Sequence, residues 1–334
     1  MKKILTFLIF LVASAVWAGD IEDADAALEK KDYTKAIQKY KAAGIRGNAS
    51  AQFMAGGMYA KGAGVKQNYA EAVKWYKLAA AQGNASAQLN LGNMYDDGQG
   101  VLQDHAEAVK WYKLAAAQGA AGAQFNLGLM YSTGKGVVQD YTEAVKWYKL
   151  AAAKGDAGAQ FNLGVIYGTG KGVVQDYTEA VEWYKLAAAK GNASAQLLLG
   201  IWYDNGEGVV QDYAEAMKWY KLAAAQGNAS AQLFLGVMYG KRNEDAEAVK
   251  WFKLASAQGD TGAQFFLGVM YDKGQGVLQD YVRSHMWMNL AATNGNAMAV
   301  ENRGVIAAKM APQQIAEAQK MARECQARKF KNCE

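Results

Sequence analysis

A tryptophan that returns every 36 residues is the feature of this sequence that most restricts its fold. The spacing is constant except between Trp219 and Trp251, which are 32 residues apart. An earlier copy begins near Asp32 and has Lys39 in the tryptophan position. A fixed period of about 20 to 50 residues is typical of a solenoid, because each copy is too small to bury its apolar face alone. The series consists of Trp75, Trp111, Trp147, Trp183, Trp219, Trp251 and Trp287.

Each copy begins with the pattern of a helix that is apolar on two sides. In residues 68–103, one apolar stripe begins at Tyr69 and recurs at intervals of three and four residues. Trp75, Leu78 and Ala79 form a second stripe beside it. A helix with two apolar sides is expected to pack between two neighbours, as a middle unit of a stack does.

A second helix follows in each copy, and its glycine predicts a close helix contact. Gly83 is expected to end the first helix. Asn84 opens an Asn-Ala-Ser tripeptide that keeps its position in four copies, so we interpret it as a cap of the second helix rather than a glycosylation site. Gly92 lies within the second helix, where glycine costs about 1 kcal/mol relative to alanine. Six copies have this glycine, which predicts a neighbouring helix that comes too close to leave room for a side chain. The glycines are Gly92, Gly128, Gly164, Gly200, Gly236 and Gly268.

These copies predict an all-α fold, an α/α solenoid of about eight helix-pair units with a C-terminal capping helix. Pro312 is suited to open the capping helix. The joint at residues 240–244 is four residues short and lacks the usual Gly-x-Gly-Val turn, so we expect a local change of pitch there. The predicted segments are a lead-in at 19–31, units at 32–67, 68–103, 104–139, 140–175, 176–211, 212–243, 244–279 and 280–310, and a capping helix with a tail at 311–334.

Residues 1–18 have the layout of a secretory signal peptide, with Lys2 and Lys3 before an apolar run and small residues. The run is too short for a stable anchor, although a retained membrane anchor is the alternative interpretation. Removal of the two lysines lowers the formal net charge from +5 to +3, which is too mild to favour nucleic acid or an anionic membrane. We therefore predict a periplasmic or secreted monomer that binds no nucleic acid and inserts into no membrane.

The two cysteines, Cys325 and Cys333, lie close to the C-terminus. In an exported chain a disulfide is expected between them, and the alternative of a redox-active pair lacks the Cys-x-x-Cys spacing. An unbroken helix would hold the two Cα atoms about 12 Å apart, whereas a disulfide needs about 7 Å or less. The helix is therefore expected to end between the cysteines, and the chain to fold back.

The repeated pattern A-x-x-W-Y-x-x-A-A, followed by A-Q-x-x-L-G-x-M-Y-x-x-G-x-G-V-x-Q-D, resembles the Sel-1-like repeat, a relative of the tetratricopeptide repeat. The resemblance covers residues 32 to about 310. It implies a right-handed α/α superhelix with a concave surface, and work as an adaptor or scaffold that holds other proteins. The first copy departs from the pattern, because it has A-G-G-M-Y in place of L-G-x-M-Y.

The best candidates for partner contacts share one position of the second helix. Asparagine fills this position in three successive copies, and leucine and phenylalanine fill it in the next three. A carboxamide both donates and accepts hydrogen bonds, so the asparagines are expected to follow an extended peptide and the apolar residues to hold its side chains. The alternative is that this position only tunes packing between second helices. The residues are Asn90, Asn126, Asn162, Leu198, Phe234 and Phe266.

The sequence has no constellation with the spacing of a catalytic or metal site. His105 and His285 are isolated. Ser132 and Lys135 match the Ser-x-x-Lys string of penicillin-recognising enzymes, but this turn varies freely between copies. The repeated aromatic residues are interpreted as core, with Trp202 as either a packing variant or an exposed anchor. We therefore predict no catalytic residues, no cofactor and no metal.

The predicted function is a non-enzymatic scaffold or adaptor of the bacterial envelope that binds a protein or peptide. One alternative is an enzyme or binder that acts on cell-wall or β-lactam-type ligands, which would need titratable groups that converge in one pocket. The other alternative is a purely structural spacer. A binding face whose chemistry changes along the chain argues against a spacer.

Overall fold

The structure of the protein, a computed structural model, describes residues 19–333, so the predicted signal peptide at 1–18 lies outside the described residues. The described residues form helices and turns without any strand, which confirms the all-α repeat solenoid. The chain divides into two compact units, Met1–Gln175 and Asp176–Glu334. The helices are α1 (19–29), α2 (Tyr33–Ile45), α3 (Ala49–Lys61), α4 (Tyr69–Ala81), α5 (Ala85–Asp97), α6 (His105–Ala117), α7 (Ala121–Thr133), α8 (Tyr141–Ala153), α9 (Ala157–Thr169), α10 (Tyr177–Ala189), α11 (Ala193–Asn205), α12 (Tyr213–Ala225), α13 (Ala229–Lys241), α14 (Asp245–Ser256), α15 (Thr261–Lys273), α16 (Tyr281–Thr293), α17 (Ala297–Ala307) and α18 (Pro312–Ala327).

From α2 to α17 the helices form pairs, and α18 follows the last pair. Each pair corresponds to one predicted copy, with the tryptophan position on its first helix. Within residues 19–333, none of the helices combines the length and the apolar character needed to cross a membrane.

Side-chain caps and glycines set the ends of the helices, as predicted. The Asn84 side chain accepts a hydrogen bond from the Ala87 N–H (2.8 Å), and the Asp104 side chain accepts one from the Glu107 N–H (2.9 Å). Gly98 ends α5 with a φ of 70°, which glycine adopts at little cost. The interpretation of the Asn-Ala-Ser tripeptides as caps is confirmed at Asn48, Asn84, Asn192 and Asn228.

Where another pair follows within the same compact unit, the glycine of the second helix leaves a notch for a side chain of that pair. A Cβ atom at Gly92 would lie 2.5 Å from Cε1 of Tyr112, a distance that real Cβ contacts do not reach. Within each compact unit, a second helix accordingly packs more extensively against the first helix of the next pair than against its own partner. The predicted close approach is confirmed at Gly92, Gly128, Gly200, Gly236 and Gly268, and it stays a prediction at Gly164.

A buried glutamine in the second helix ties successive pairs together. The Gln88 Nε2 atom donates to the backbone oxygen of Ala80 (3.1 Å), and its Oε1 atom accepts from Gln118 Nε2 (2.8 Å). Buried polar groups need such partners, so the A-Q step of the repeat has a structural role. The same two bonds recur at Gln52, Gln196 and Gln232.

The first copy meets α1 instead of a preceding pair, and this explains its missing tryptophan. The Lys39 ammonium forms ion pairs with Asp20 (3.1 Å) and Asp23 (2.8 Å) of α1. Ala24 and Ala27 of the same segment pack into the core of the first pair. A charged contact therefore replaces the aromatic one at this end of the chain.

The C-terminal segment follows its predicted course. Pro312 opens α18, which packs against α16. Cys325 and Cys333 form the predicted disulfide with a Cα–Cα distance of 5.0 Å. The helix ends at Ala327, between the two cysteines, and residues with positive φ reverse the chain before Cys333.

Candidate interaction surface

The six residues predicted to contact a partner, which we call the slot residues, are all half-buried and lie on the second helices of their copies. The structure places the asparagines and phenylalanines among them beside the aromatic residue in the first helix of the same copy. The slot residues are Asn90, Asn126 and Asn162 in the first compact unit, and Leu198, Phe234 and Phe266 in the second.

In the first compact unit, the slot asparagines hydrogen-bond to buried tyrosines. The Tyr112 hydroxyl donates to Asn93 Oδ1 (2.8 Å), and Asn126 Nδ2 donates to the same oxygen (3.0 Å). Burial raises the pKa of Tyr112, as do the charges of Asp96 and Asp97, while a hydrogen bond from the Asn126 amide opposes this rise. The amide hydrogens of Asn126 are thus used inside the molecule, whereas its carbonyl oxygen is free of partners among the described residues.

In the second compact unit, the slot is apolar and stacks on the same aromatic position. The Phe234 ring stacks on Tyr220 with centroids 5.2 Å apart, and the Phe266 ring stacks on Phe252 at 5.0 Å. The buried Tyr220 hydroxyl has no hydrogen-bond partner in the described part of the chain. Burial, followed by the charge of Asp204, raises the pKa of Tyr220. The slot therefore changes from hydrogen-bonding in the first unit to apolar in the second.

A cavity of about 410 Å³ adjoins the first slot residue. Asn90, Tyr76 and Phe53 contribute to its lining, as does Gly57. Gly57 takes the place that Asn93 has in the next copy, and its lack of a side chain leaves this space open beside the Tyr76 hydroxyl. The departure of the first copy from the repeat pattern thus enlarges the accessible surface next to the slot.

The second apolar stripe predicted for the first helix is wrong at Leu78, whose exposed fraction is 50%. Trp75 and Ala79 of that stripe are buried. The small Ala79 and Ala80 side chains beside it are buried, whereas Leu78 stays half-exposed. The same half-exposed leucine recurs at Leu114, Leu150, Leu186, Leu222 and Leu254.

Trp202 is a packing variant rather than an exposed anchor. Its side chain is buried, and its ring meets Tyr184 and Tyr177 edge-on with centroids 5.1 and 5.6 Å apart. Edge-to-face contact is a favourable arrangement of aromatic rings, so the larger side chain is accommodated in the core.

The isolated polar residues are engaged locally. The His105 Nδ1 and Asp96 Oδ1 atoms are 2.6 Å apart. His285 is buried, and burial, followed by the charge of Arg303, lowers its pKa. The Ser132 hydroxyl donates to a backbone oxygen of its own helix (3.0 Å). Across residues 19–333, no group of three His, Cys, Asp or Glu side chains is arranged to hold a metal ion.

The family model of the Sel1 repeat matches the chain seven times, over most of its length. The chain belongs to the Sel1 repeat family. Sel1 repeat proteins generally mediate protein–protein interactions. Each matched repeat joins the second helix of one pair to the first helix of the next, and within each compact unit these two helices meet at the glycine notch. The matches cover residues 49–84, 85–119, 121–156, 157–192, 193–228, 229–260 and 261–296.

Two solved Sel1 repeat structures resemble this Sel1 repeat protein over nearly their whole length. One is a protective antigen present in uropathogenic Escherichia coli strains, with an SLR fold; it is 27% identical, with a TM-score of 0.60, over 98% of this chain and 96% of that chain. The other is a Sel1 repeat protein from Oxalobacter formigenes; it is 32% identical, with a TM-score of 0.60, over 81% of this chain and 96% of that chain. No curated protein matches this sequence.

Proposed function

We propose that this Sel1 repeat protein is a non-enzymatic scaffold of the bacterial envelope, and that it binds a protein or peptide segment along the slot residues. The slot is half-exposed in each of its copies, so a partner reaches it without unfolding of the solenoid. The chain acts as a monomer in this proposal, with one extended partner segment along several copies.

The observation that carries the proposal is which atoms of the slot asparagines are hydrogen-bonded within the protein. The Asn126 amide donates to Asn93 and Tyr112, which holds the side chain in place. Its carbonyl oxygen is left as an acceptor, and a backbone N–H of an extended peptide is the complementary donor. Hydrogen bonds from Asn90 and Asn162 likewise oppose the rise that burial causes in the pKa of Tyr76 and Tyr148.

The apolar slot residues of the second compact unit support the same function by different chemistry. Phe234 and Phe266 present half-buried rings held by stacking. Rigid aromatic side chains are enriched among the residues that dominate the energetics of protein interfaces. We infer that the asparagines bind the main chain of a partner, and that the phenylalanines bind its apolar side chains.

An envelope location is supported by two independent features. Residues 1–18 have the layout of a signal peptide. The Cys325–Cys333 disulfide is of the kind that persists in oxidising compartments such as the periplasm or the extracellular space.

The function is tested by site-specific photocrosslinking in cells that express the protein. A photoreactive residue at position 126 is expected to capture a partner protein, whereas one at position 110, on the exposed face of α6, is not. The double variant Asn126→Ala with Asn162→Ala is then expected to weaken the captured complex at least tenfold. Equal capture at both positions, or unchanged affinity of a folded double variant, would rule out the slot as the binding face.

A further inference from the structure

The connection between α13 and α14 is short. It lacks the longer loop that, in other copies, covers the first turn of the first helix of the same copy. Residues 242–244 connect these helices, whereas the longer stretch 206–212 connects α11 to α12. In that longer loop, Gly208 lies directly on the first turn of α10, because a Cβ atom there would be 2.5 Å from the backbone oxygen of Tyr177. The short joint leaves the corresponding first turn of α12, at Tyr213, without this cover.

The shortened joint also removes an aliphatic side chain from the core. Val101, Val137 and Val277 of the longer loops pack against the buried clusters of their copies. The cluster around Met217 and Met238 contains no loop valine among its described members. The place that a loop valine fills in other copies is therefore open in this one.

A cavity of about 600 Å³ lies at this place, within the second compact unit. Met217 and Met238 of the core line it, together with Tyr213 and Ala214 of the uncovered turn. Tyr213 has an exposed fraction of 55%, against 42% for Tyr177 under its loop. Methionine side chains adapt to the shape of apolar groups, so the cavity is suited to an aliphatic side chain.

Charged residues complete the lining of the cavity, and cations predominate. Lys241 and Arg242 line it with Asp204. The Arg242 guanidinium is paired with Glu244, with Nε and Oε1 2.7 Å apart. The Lys241 ammonium forms no ion pair with the described residues. It is therefore available to pair with a carboxylate of a bound molecule.

We propose that this cavity, which we call the joint pocket, binds an aliphatic side chain of an extended segment of a partner protein, with a carboxylate of that segment beside Lys241. The proposal rests on the scaffold function above and adds where and by which chemistry the partner is held. Residues 98–104, Gly-Gln-Gly-Val-Leu-Gln-Asp, have this chemistry, because their valine is followed three residues later by an aspartate. In its own copy, that valine packs into the place that is open at the joint pocket.

The probe is a fluorescent peptide that copies residues 98–104, titrated with the purified full chain and followed by anisotropy. Saturable binding is expected, and a control peptide with aspartate in place of the valine is expected to bind at least tenfold more weakly. No saturation at millimolar protein, or equal binding of the two peptides, would overturn the proposal.

Variants of the protein localise the binding. Replacement of residues 242–244 by a copy of residues 206–212 restores the loop and fills the joint pocket, so the peptide affinity is expected to fall at least tenfold. Ala214→Phe fills the pocket at constant chain length and is expected to cause a similar loss, whereas Lys241→Glu is expected to weaken binding about two- to fivefold. Undiminished binding to folded Ala214→Phe would contradict the assignment. This titration needs no cellular partner, so its failure leaves the crosslinking test of the scaffold function at position 126 intact.

Discussion

Tyr112 in the first compact unit and Tyr220 in the second occupy the same position of the repeat, but their hydroxyl groups differ. The Tyr112 hydroxyl donates to Asn93 and receives a hydrogen bond from the Asn126 amide. The Tyr220 hydroxyl is buried without a partner in the described residues, because Ile201 stands in the place of Asn93 and the slot neighbour is Phe234. Both units thus bury the ring at this position in a glycine notch, but only the Tyr112 hydroxyl is hydrogen-bonded.

The difference shows that the slot and the buried aromatic residue are coupled. Where the slot is asparagine, the buried phenol has a polar neighbour; where it is Phe266, the opposite residue is Phe252 and has no hydroxyl to satisfy. Tyr220 is the intermediate case, with a phenol opposite a phenyl ring. A slot that offers an apolar face to a partner therefore removes hydrogen bonds from the interior of its own copy.

The glycine notch is common to both units, so its loss is expected to have the largest effect and the same sign in each. Gly128→Val and Gly236→Val would place side chains within 2.5 Å of the Tyr148 and Phe252 rings. Each is expected to lower the free energy of unfolding by about 2 to 4 kcal/mol, measured by urea denaturation. Gly304→Ala is the control, because nothing lies within 4 Å of a Cβ there, and it is expected to be neutral or stabilising by up to about 1 kcal/mol. A decrease in the free energy of unfolding below about 1 kcal/mol at either glycine would contradict a common role of the notch in the two units.

Alkaline pH is expected to destabilise the folded state because its buried phenols resist ionisation. The pKa of Tyr220 is raised above its usual value of 10.0, so the folded state keeps the neutral phenol while the unfolded state ionises. The resulting stability is present below pH 10 and is lost as pH rises above it. Tyr220→Phe is expected to reduce this loss by about 1.4 kcal/mol in total between pH 9 and pH 11, measured by urea denaturation. An unchanged slope in the variant would mean that the phenol titrates normally.

Removal of a single hydroxyl at neutral pH is expected to act in opposite directions in the two units. Tyr112→Phe deletes a hydrogen bond to Asn93 and is expected to cost about 1 kcal/mol. Tyr220→Phe deletes a buried group that has no partner in the described residues and is expected to stabilise the fold by about 1 kcal/mol. Thermal or urea unfolding of the pair measures both signs, and equal effects would contradict the coupling of slot and phenol.

The features predicted correctly from the sequence are those that depend on local spacing. Helix pairs, Asn84 as a cap, the Gly92 notch and the disulfide each follow from a few consecutive residues and a fixed backbone geometry. The prediction for Leu78 was wrong because helical periodicity gives the direction of an apolar side chain, but not the width of the contact it meets.

The parts of the candidate site that sequence reasoning missed depend on residues in different copies. Asn93 accepts from Tyr112 and Asn126 of the next copy, and no local pattern connects these three. The signal was present only as a polar residue at the variable position of L-G-x-M-Y. The joint pocket likewise arises from loop residues that are missing, and the short joint at 240–244 by itself predicts only a change of pitch.

The tryptophans show a second difference, between single copies of the repeat, with a smaller expected effect. In α8, Glu143 pairs with Lys146 (2.8 Å), and the buried Trp147 Nε1 has no partner among the described residues. In α10, glutamate occupies the lysine position, so Glu179 is free to accept from Trp183 Nε1 (2.9 Å). A single residue therefore decides whether the buried indole is satisfied.

Lys146→Glu is expected to reproduce the α10 arrangement in α8. Repulsion from the new carboxylate turns Glu143 toward Trp147, and the indole N–H resonance of Trp147 is expected to shift downfield in the NMR spectrum as it gains an acceptor. Stability is expected to change by no more than about 0.5 kcal/mol, because the ion pair that is lost is exposed on the helix surface. Glu182→Lys is the matched reverse change and is expected to shift the Trp183 resonance upfield. If neither resonance moves, the orientation of the glutamate is set by the surrounding helices and not by this residue.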